Sequence, residues 1–147
     1  MAQPAPAQGP RLFSPVGVAV AAALGSFVAG VALVWYNYRV LGYRELAMRV
    51  GIAGCVFYIM LIVAASMAPN TPVIGVAVLI GQTLLAGWAA KALQGAAIDW
   101  HVKRGGALHG SGMAGLVGLG IGIFAAVLLI LVGQVFDLPI GLPAPAP

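Results

Sequence analysis

The sequence predicts an all-α fold, a polytopic membrane protein with four transmembrane helices in an up-down bundle. Three observations carry this expectation. Of the 147 residues, 62% are hydrophobic and 7% charged, with a mean hydropathy of +1.05. Soluble domains carry about 25% charged residues, so this chain has too little polar surface to cover a water-exposed globule. Four apolar runs approach the roughly 20 residues that a helix needs to cross a hydrocarbon core about 30 Å thick. None of them holds a charged residue, and in lipid a helix is what satisfies the backbone of such a run.

The expected organisation is a disordered tail at 1–15, a transmembrane domain at 16–136 and a second disordered tail at 137–147; both tails are rich in Ala and Pro. The first helix is expected at 16–36, with Ser26 as its one polar interruption. Ser14 and Pro15 place a capping hydroxyl and a first-turn proline directly before it. The run exceeds the apolar region of about 7–15 residues in a signal peptide, and its exit, Trp35-Tyr36-Asn37-Tyr38-Arg39, offers no small-residue cleavage site. It therefore reads as a retained helix.

The second helix is expected at 50–68 and contains the lone cysteine, Cys55, which reads as a small buried hydrophobe. Pro69-Asn70-Thr71-Pro72 predicts a tight turn, making an antiparallel hairpin with the third helix at 73–90. Gln82 and Thr83 lie inside that third run, where hydrogen bonding to another helix is their expected role. Residues 91–104 predict an amphipathic cytoplasmic segment. Leu93, Ala96, Ala97 and Trp100 form its apolar stripe, and Gly95 marks the expected bend. Gln94, Asp99, Trp100 and His101 on this segment are the candidates for partner contact. Gly105-Gly106 and Gly110-Ser111-Gly112 loosen the approach to the fourth helix at 113–136, which carries Gln134 near its end.

Orientation follows from Lys and Arg. Arg39, Arg44 and Arg49 fall in the first expected loop, and Lys91, Lys103 and Arg104 in the third, against Arg11 alone in the N-terminal tail. With four spans, the positive-inside rule places both loops in the cytoplasm and both termini in the periplasm. The two loops share a tryptophan, a basic residue and an acid four residues before a base, Glu45 to Arg49 and Asp99 to Lys103. That spacing favours a helical ion pair, and the likeness suggests a duplicated two-helix unit.

Small residues recur at four-residue spacing. Ala22, Ser26 and Gly30 share one face of the first helix, with Gly25 beside it; Gly118 and Gly122 repeat the pattern in the fourth. Such faces let helices approach closely in lipid, so Gly25, Ser26, Gly30, Gly118 and Gly122 are the candidates for helix contact, within one bundle or between copies in a homo-oligomer.

The absences narrow function. No Asp, Glu, Lys, Arg or His falls within the four runs, which argues against ion-coupled transport; small four-helix multidrug exporters depend on a membrane-embedded glutamate that has no counterpart here. His101 and His109 lack the further ligands that a zinc site requires. Ser111 sits in a flexible Gly-Ser-Gly rather than a nucleophile elbow, and no phosphate-cradling motif occurs. The net charge of +4 is spread over short loops, pointing to the membrane rather than to nucleic acid. No catalytic residue, metal or cofactor is expected.

Two blocks carry a resemblance. Leu12-Phe13-Ser14-Pro15, Leu24-Gly25-Ser26, Ala29-Gly30, Asn37-Tyr38-Arg39 and Leu41-Gly42 form the first; Leu93-Gln94-Gly95, Ile98, His101 and Gly105-Gly106 form the second. Together they resemble a group of small uncharacterised bacterial four-helix inner-membrane proteins. The resemblance implies a bacterial inner membrane and a four-span layout, and it implies no activity or substrate. The expected function is a non-enzymatic membrane protein acting through helix contacts, as an accessory or assembly subunit of a membrane complex. The alternative is a small oligomeric channel or transporter for uncharged or lipidic molecules, built around Gln82, Thr83 and Gln134. A membrane enzyme using Asp99 and His101 is a third class.

Overall fold

Six elements follow one another in the computed structural model, which describes residues 9–69 and 71–135. They are β1 (Leu12–Phe13), α1 (Pro15–Val40), α2 (Arg44–Met67), α3 (Pro72–Lys103), β2 (Leu108–His109) and α4 (Ser111–Val135). The C-terminal tail, the first eight residues and Asn70 of the expected turn lie outside the described residues. Four helices are long and apolar enough to cross a membrane. Helix continues beyond the apolar runs because Arg, Lys, Glu and Leu are good helix formers whether or not lipid surrounds them. The first expected loop thereby shrinks to residues 41–43, and α3 runs unbroken through Gly95 to Lys103.

Local signals account for the starts. The Ser14 hydroxyl accepts a hydrogen bond from the Gly17 amide at 3.0 Å, with Pro15 in the first turn. Thr71 and Pro72 repeat the device for α3, where the Thr71 hydroxyl accepts from the Ile74 amide at 3.4 Å.

Helix α1 departs from the expected straight span. Ser26 has φ 73° and ψ 172°, a conformation that no helix contains. There the chain folds back, dividing α1 into an arm α1a (residues 15–25) and an arm α1b (residues 27–40). Residues 13 and 37 would stand roughly 36 Å apart along one continuous helix. Instead the Phe13 amide donates to the Asn37 side chain at 2.8 Å. Midway, a Cβ at Gly30 would meet Ala22 at 3.2 Å and Val18 at 3.6 Å, across the hairpin. The arms are roughly 16 and 21 Å long, each about half of a hydrocarbon core or a little more.

This hairpin is the core of the molecule. α1 packs against α2, α3 and α4, whereas those three scarcely touch one another. Twelve residues of α1 are buried, against Ala47 alone in α2. The arrangement is therefore three helices around a folded-back central element, and the hairpins α1–α2 and α3–α4 are unlike in structure despite their similar loops. The N-terminal segment, expected to be disordered through residue 15, is pinned: Leu12 and Phe13 pair in parallel with Leu108 and His109. Leu12 is fully buried, and its amide donates to the Ala107 carbonyl at 3.2 Å.

Candidate functional site

The polar side chains of the interior gather in two places along α1. Near the strand end, Asn37 and Gln94 are both fully buried. The Asn37 Oδ1 accepts from the Phe13 amide at 2.8 Å, and its Nδ2 donates to the Phe13 carbonyl at 2.8 Å and to the Gln94 Oε1 at 3.0 Å. Gln94 Nε2 in turn donates to the Val34 carbonyl at 2.7 Å. The Tyr38 hydroxyl adds a bond to the Leu93 carbonyl at 3.0 Å. Two amides thus join β1, α1b and α3 in one closed network. Buried amides left unpaired cost about 1–3 kcal/mol each, so the value of this network is largest when it is complete.

The second place is the break itself. Phe27 opens arm α1b, and its amide, freed by the fold-back, donates to the Gln82 Oε1 of α3 at 3.3 Å. Gln82 therefore acts as a side-chain cap for a helix that begins inside the protein. Irregular backbone between apolar helices is tolerated where protein covers it, and α3 and α4 cover the break here. The Ser26 Oγ is buried without a hydrogen-bond partner.

The helix-contact candidates divide by role. A Cβ on Gly25 would collide with the Gly118 carbonyl of α4, one on Gly118 would stand 2.6 Å from the Ala21 Cα, and one on Gly122 2.7 Å from the Gly25 Cα. Gly25, Gly118 and Gly122 thus form a single backbone contact between α1a and α4. Gly30 sits where α1b meets α3, and a Cβ there would stand 3.1 Å from the Ala86 methyl. Ser26 belongs to no helix face; it is the turn.

The partner-contact candidates also separate. Gln94 is internal, whereas Asp99 and Trp100 are exposed and His101 is half-buried. The face of α3 turned to α1 is Ala86, Ala90, Gln94 and Ile98, at four-residue intervals. The expected stripe differs: Leu93 and Trp100 stay exposed. Two alanines allow α1b close approach, and the Gln94 amide finds its bonds in Asn37 and Val34, which is why a polar residue occupies the buried face. His101 packs its ring against Gly106, with its Nε2 buried and unbonded. His109 stacks on Phe13 with ring centroids 4.5 Å apart. Among the described residues no group of three His, Cys, Asp or Glu gathers to hold a metal. Cys55 is exposed on α2 rather than buried.

Of the two expected ion pairs, Glu45–Arg49 closes at 3.7 Å on the surface. Asp99–Lys103 does not close among the described residues; beside it Arg104 lies over the Trp100 ring at 3.9 Å, as Arg39 lies over Trp35 at 5.4 Å. Sequence reasoning passed over Asn37 as a buried anchor; its signal was an amide directly after the apolar run, four residues after Leu33 and three after Val34, on the side that proves to be the core. Comparison with protein-family models, curated proteins and solved structures found no match.

Proposed function

We propose that this chain is a non-enzymatic, multi-pass protein of a bacterial inner membrane, serving as an accessory or assembly subunit of a membrane complex. One observation carries the reading: Gln82, Thr83, Asn37 and Gln94 are all engaged in holding the hairpin or their own helix, which leaves the Ser26 hydroxyl, among the described residues, as the one unbonded buried polar group at the break. Gln82 caps α1b, Asn37 and Gln94 bond each other and the backbone, and Thr83 donates to the Leu79 carbonyl of its own turn at 2.8 Å. What remains for interaction is the outer surface of α2, α3 and α4. The exposed Cys55 on α2 offers the test. A cross-linker attached there in intact cells is expected to trap a defined partner, as a discrete adduct that survives purification in mild detergent. A protein that yields no adduct and purifies only as a monomer sinks the reading.

The same membrane reading carries a topology. Leu12 and Phe13 lie beside Leu108, His109 and Asn37, so Arg11 joins Arg39, Arg44, Arg49, Lys91, Lys103 and Arg104 at one end. The described residues of the α2–α3 connection at the opposite end carry no Lys or Arg. By the positive-inside rule the cationic end is cytoplasmic. The N-terminus then lies in the cytoplasm and the end of α4 in the periplasm, in place of two periplasmic termini. Reporter fusions check this: an N-terminal fusion active only in the periplasm contradicts it.

The alternative is a small oligomeric channel or transporter for uncharged or lipidic molecules. The break at Ser26 favours it, since broken helices at the bilayer midplane line the binding sites of transporters. Flux measurements in liposomes separate the two readings; no uptake or leak of any tested solute disposes of this one.

A further inference from the structure

Two apolar grooves open on the flanks of arm α1b. One, floored by Gly30 and Ala86 and walled by Phe27, Phe57 and Leu93, has no charged or amide side chain in its lining. The other runs between α1b and α4 and has a volume of about 390 Å³, within the range of about 300–1,000 Å³ typical of small-molecule sites. Its two ends differ in chemistry. Ala32, Leu33, Val117 and Ile121 line the deep end, whereas Trp35, Tyr36 and His109 line the end beside the strands.

The helix repeat extends that second end outward. Residues 32, 35, 36 and 39 lie at i, i+3, i+4 and i+7, on one face of α1b. Arg39 therefore lies one turn beyond Trp35 and next to the aromatic end of the groove, exposed, with its guanidinium 5.4 Å from the centre of the Trp35 ring, which also rests against Gly51 of α2. A tryptophan under an arginine at the end of an apolar helix marks the headgroup level of a bilayer. The groove thus runs from a cationic, aromatic mouth at the surface to a purely aliphatic floor at depth.

We infer that this groove seats one anionic phospholipid of the surrounding membrane. One acyl chain lies along Leu33, Val117 and Ile121, and the phosphate meets Arg39, with the His109 imidazole at the rim. Charge and direction select this occupant. A guanidinium matches phosphate oxygens in a two-point geometry, and the polarity of the groove runs in the same sense as that of a lipid in its leaflet. A helix from a second copy would fill the aliphatic depth, but α2 (Arg44, Glu45, Arg49) and α3 (Lys91, Asp99, Lys103) are each net cationic at that end and would bring Arg39 net repulsion. The first groove has no such mouth. The inference requires membrane embedding and is independent of the assembly reading.

Tryptophan quenching tests it. The chain has three tryptophans, Trp35, Trp88 and Trp100, so W88F/W100F leaves Trp35 as the reporter at the groove mouth. The full chain is reconstituted into phosphatidylcholine vesicles containing brominated phosphatidylglycerol or brominated phosphatidylcholine. Half-quenching is expected at an about fivefold lower fraction of the anionic lipid, the factor equivalent to about 1 kcal/mol per Lys or Arg at a membrane surface. R39Q is expected to abolish that preference and R39K to keep most of it. R44Q, which removes a charge from the same end but outside the groove, is expected to leave the preference intact. V117F, which fills the depth, is expected to lower quenching by both lipids. Equal quenching by the two lipids before substitution overturns the inference, as does an equal loss in R39Q and R44Q, which is the signature of diffuse surface charge. Efficient disulfide formation between copies of A32C in a C55S background, at any lipid composition, overturns it too, because a second copy then occupies the groove. Arg39 is exposed, so R39Q retains the fold and decides the outcome even if V117F does not assemble.

Discussion

Helices α1 and α2 are nearly equal in hydropathy, yet half of the apolar window of α1 is buried inside the protein and none of that of α2. The difference lies in what interrupts each run. α1 carries small residues at its contacts, a turn at Ser26 and an amide at Asn37, so it can fold back and be gripped from three sides. α2 carries Ile, Val, Met and Phe on its outer faces, and these are exposed. In lipid, apolar side chains gain nothing from leaving their solvent, so close backbone approach and hydrogen bonds decide which helix becomes the core. Hydropathy alone cannot rank the two.

Substitutions that abolish this contrast have the largest expected effects. Gly118→Leu forces α4 away from the Ala21 backbone and is expected to prevent assembly, read as loss of a monodisperse species in detergent. The matched change Gly120→Leu, on the same helix where nothing lies within 4 Å, is expected to leave unfolding within about 0.5 kcal/mol of the parent. Equal behaviour of the two breaks the comparison. Asn37→Ala comes next. It strands the Phe13 amide, the Phe13 carbonyl and one acceptor of Gln94, and a cost of about 2–4 kcal/mol is expected in detergent unfolding. Adding Gln94→Ala is expected to cost much less than it does alone, because the two amides act as one unit.

Two smaller changes sharpen the contrast. Gln82→Leu removes the cap of α1b and is expected to cost about 1 kcal/mol, with faster hydrogen exchange at Phe27 as its local signature. Ser26→Gly is expected to stabilise by several tenths of a kcal/mol, since glycine accepts a positive φ without steric cost; Ser26→Val is expected to destabilise. A stabilising Ser26→Val disproves the fold-back at that residue. Smallest of all, Glu45→Gln opens an ion pair whose two side chains are 76% and 89% exposed, and it is expected to be close to neutral in unfolding.

Much of the candidate site was legible as residues, though not as an arrangement. Gly25, Gly118 and Gly122 stood out by spacing alone, because a close helix contact needs small residues at four-residue intervals. Their pairing across α1a and α4 was not visible, since spacing on one helix does not name the partner. Ser26 satisfied the same pattern and proved to be the turn. A serine at φ 73° has no marker in sequence, because most residues at such angles are glycine. Gln94 was noticed for its polarity on an amphipathic segment, which pointed outward; the amide is buried because Asn37, 57 positions away, supplies its bond.

Sequence by itself determined the number and approximate place of the apolar helices, long enough to cross a membrane, and the start at Ser14-Pro15, because these follow from local composition and capping chemistry. Tertiary structure alone decided that the first apolar run folds back, that it forms the core, and that Arg11 joins the other six basic residues at one end. Those outcomes rest on contacts between residues far apart in the chain: Gly25 with Gly118, Phe13 with Asn37, and Phe27 with Gln82. An uninterrupted apolar run looks the same whether it crosses a membrane or turns back inside it, and only the partners that satisfy the freed backbone at the turn distinguish the two.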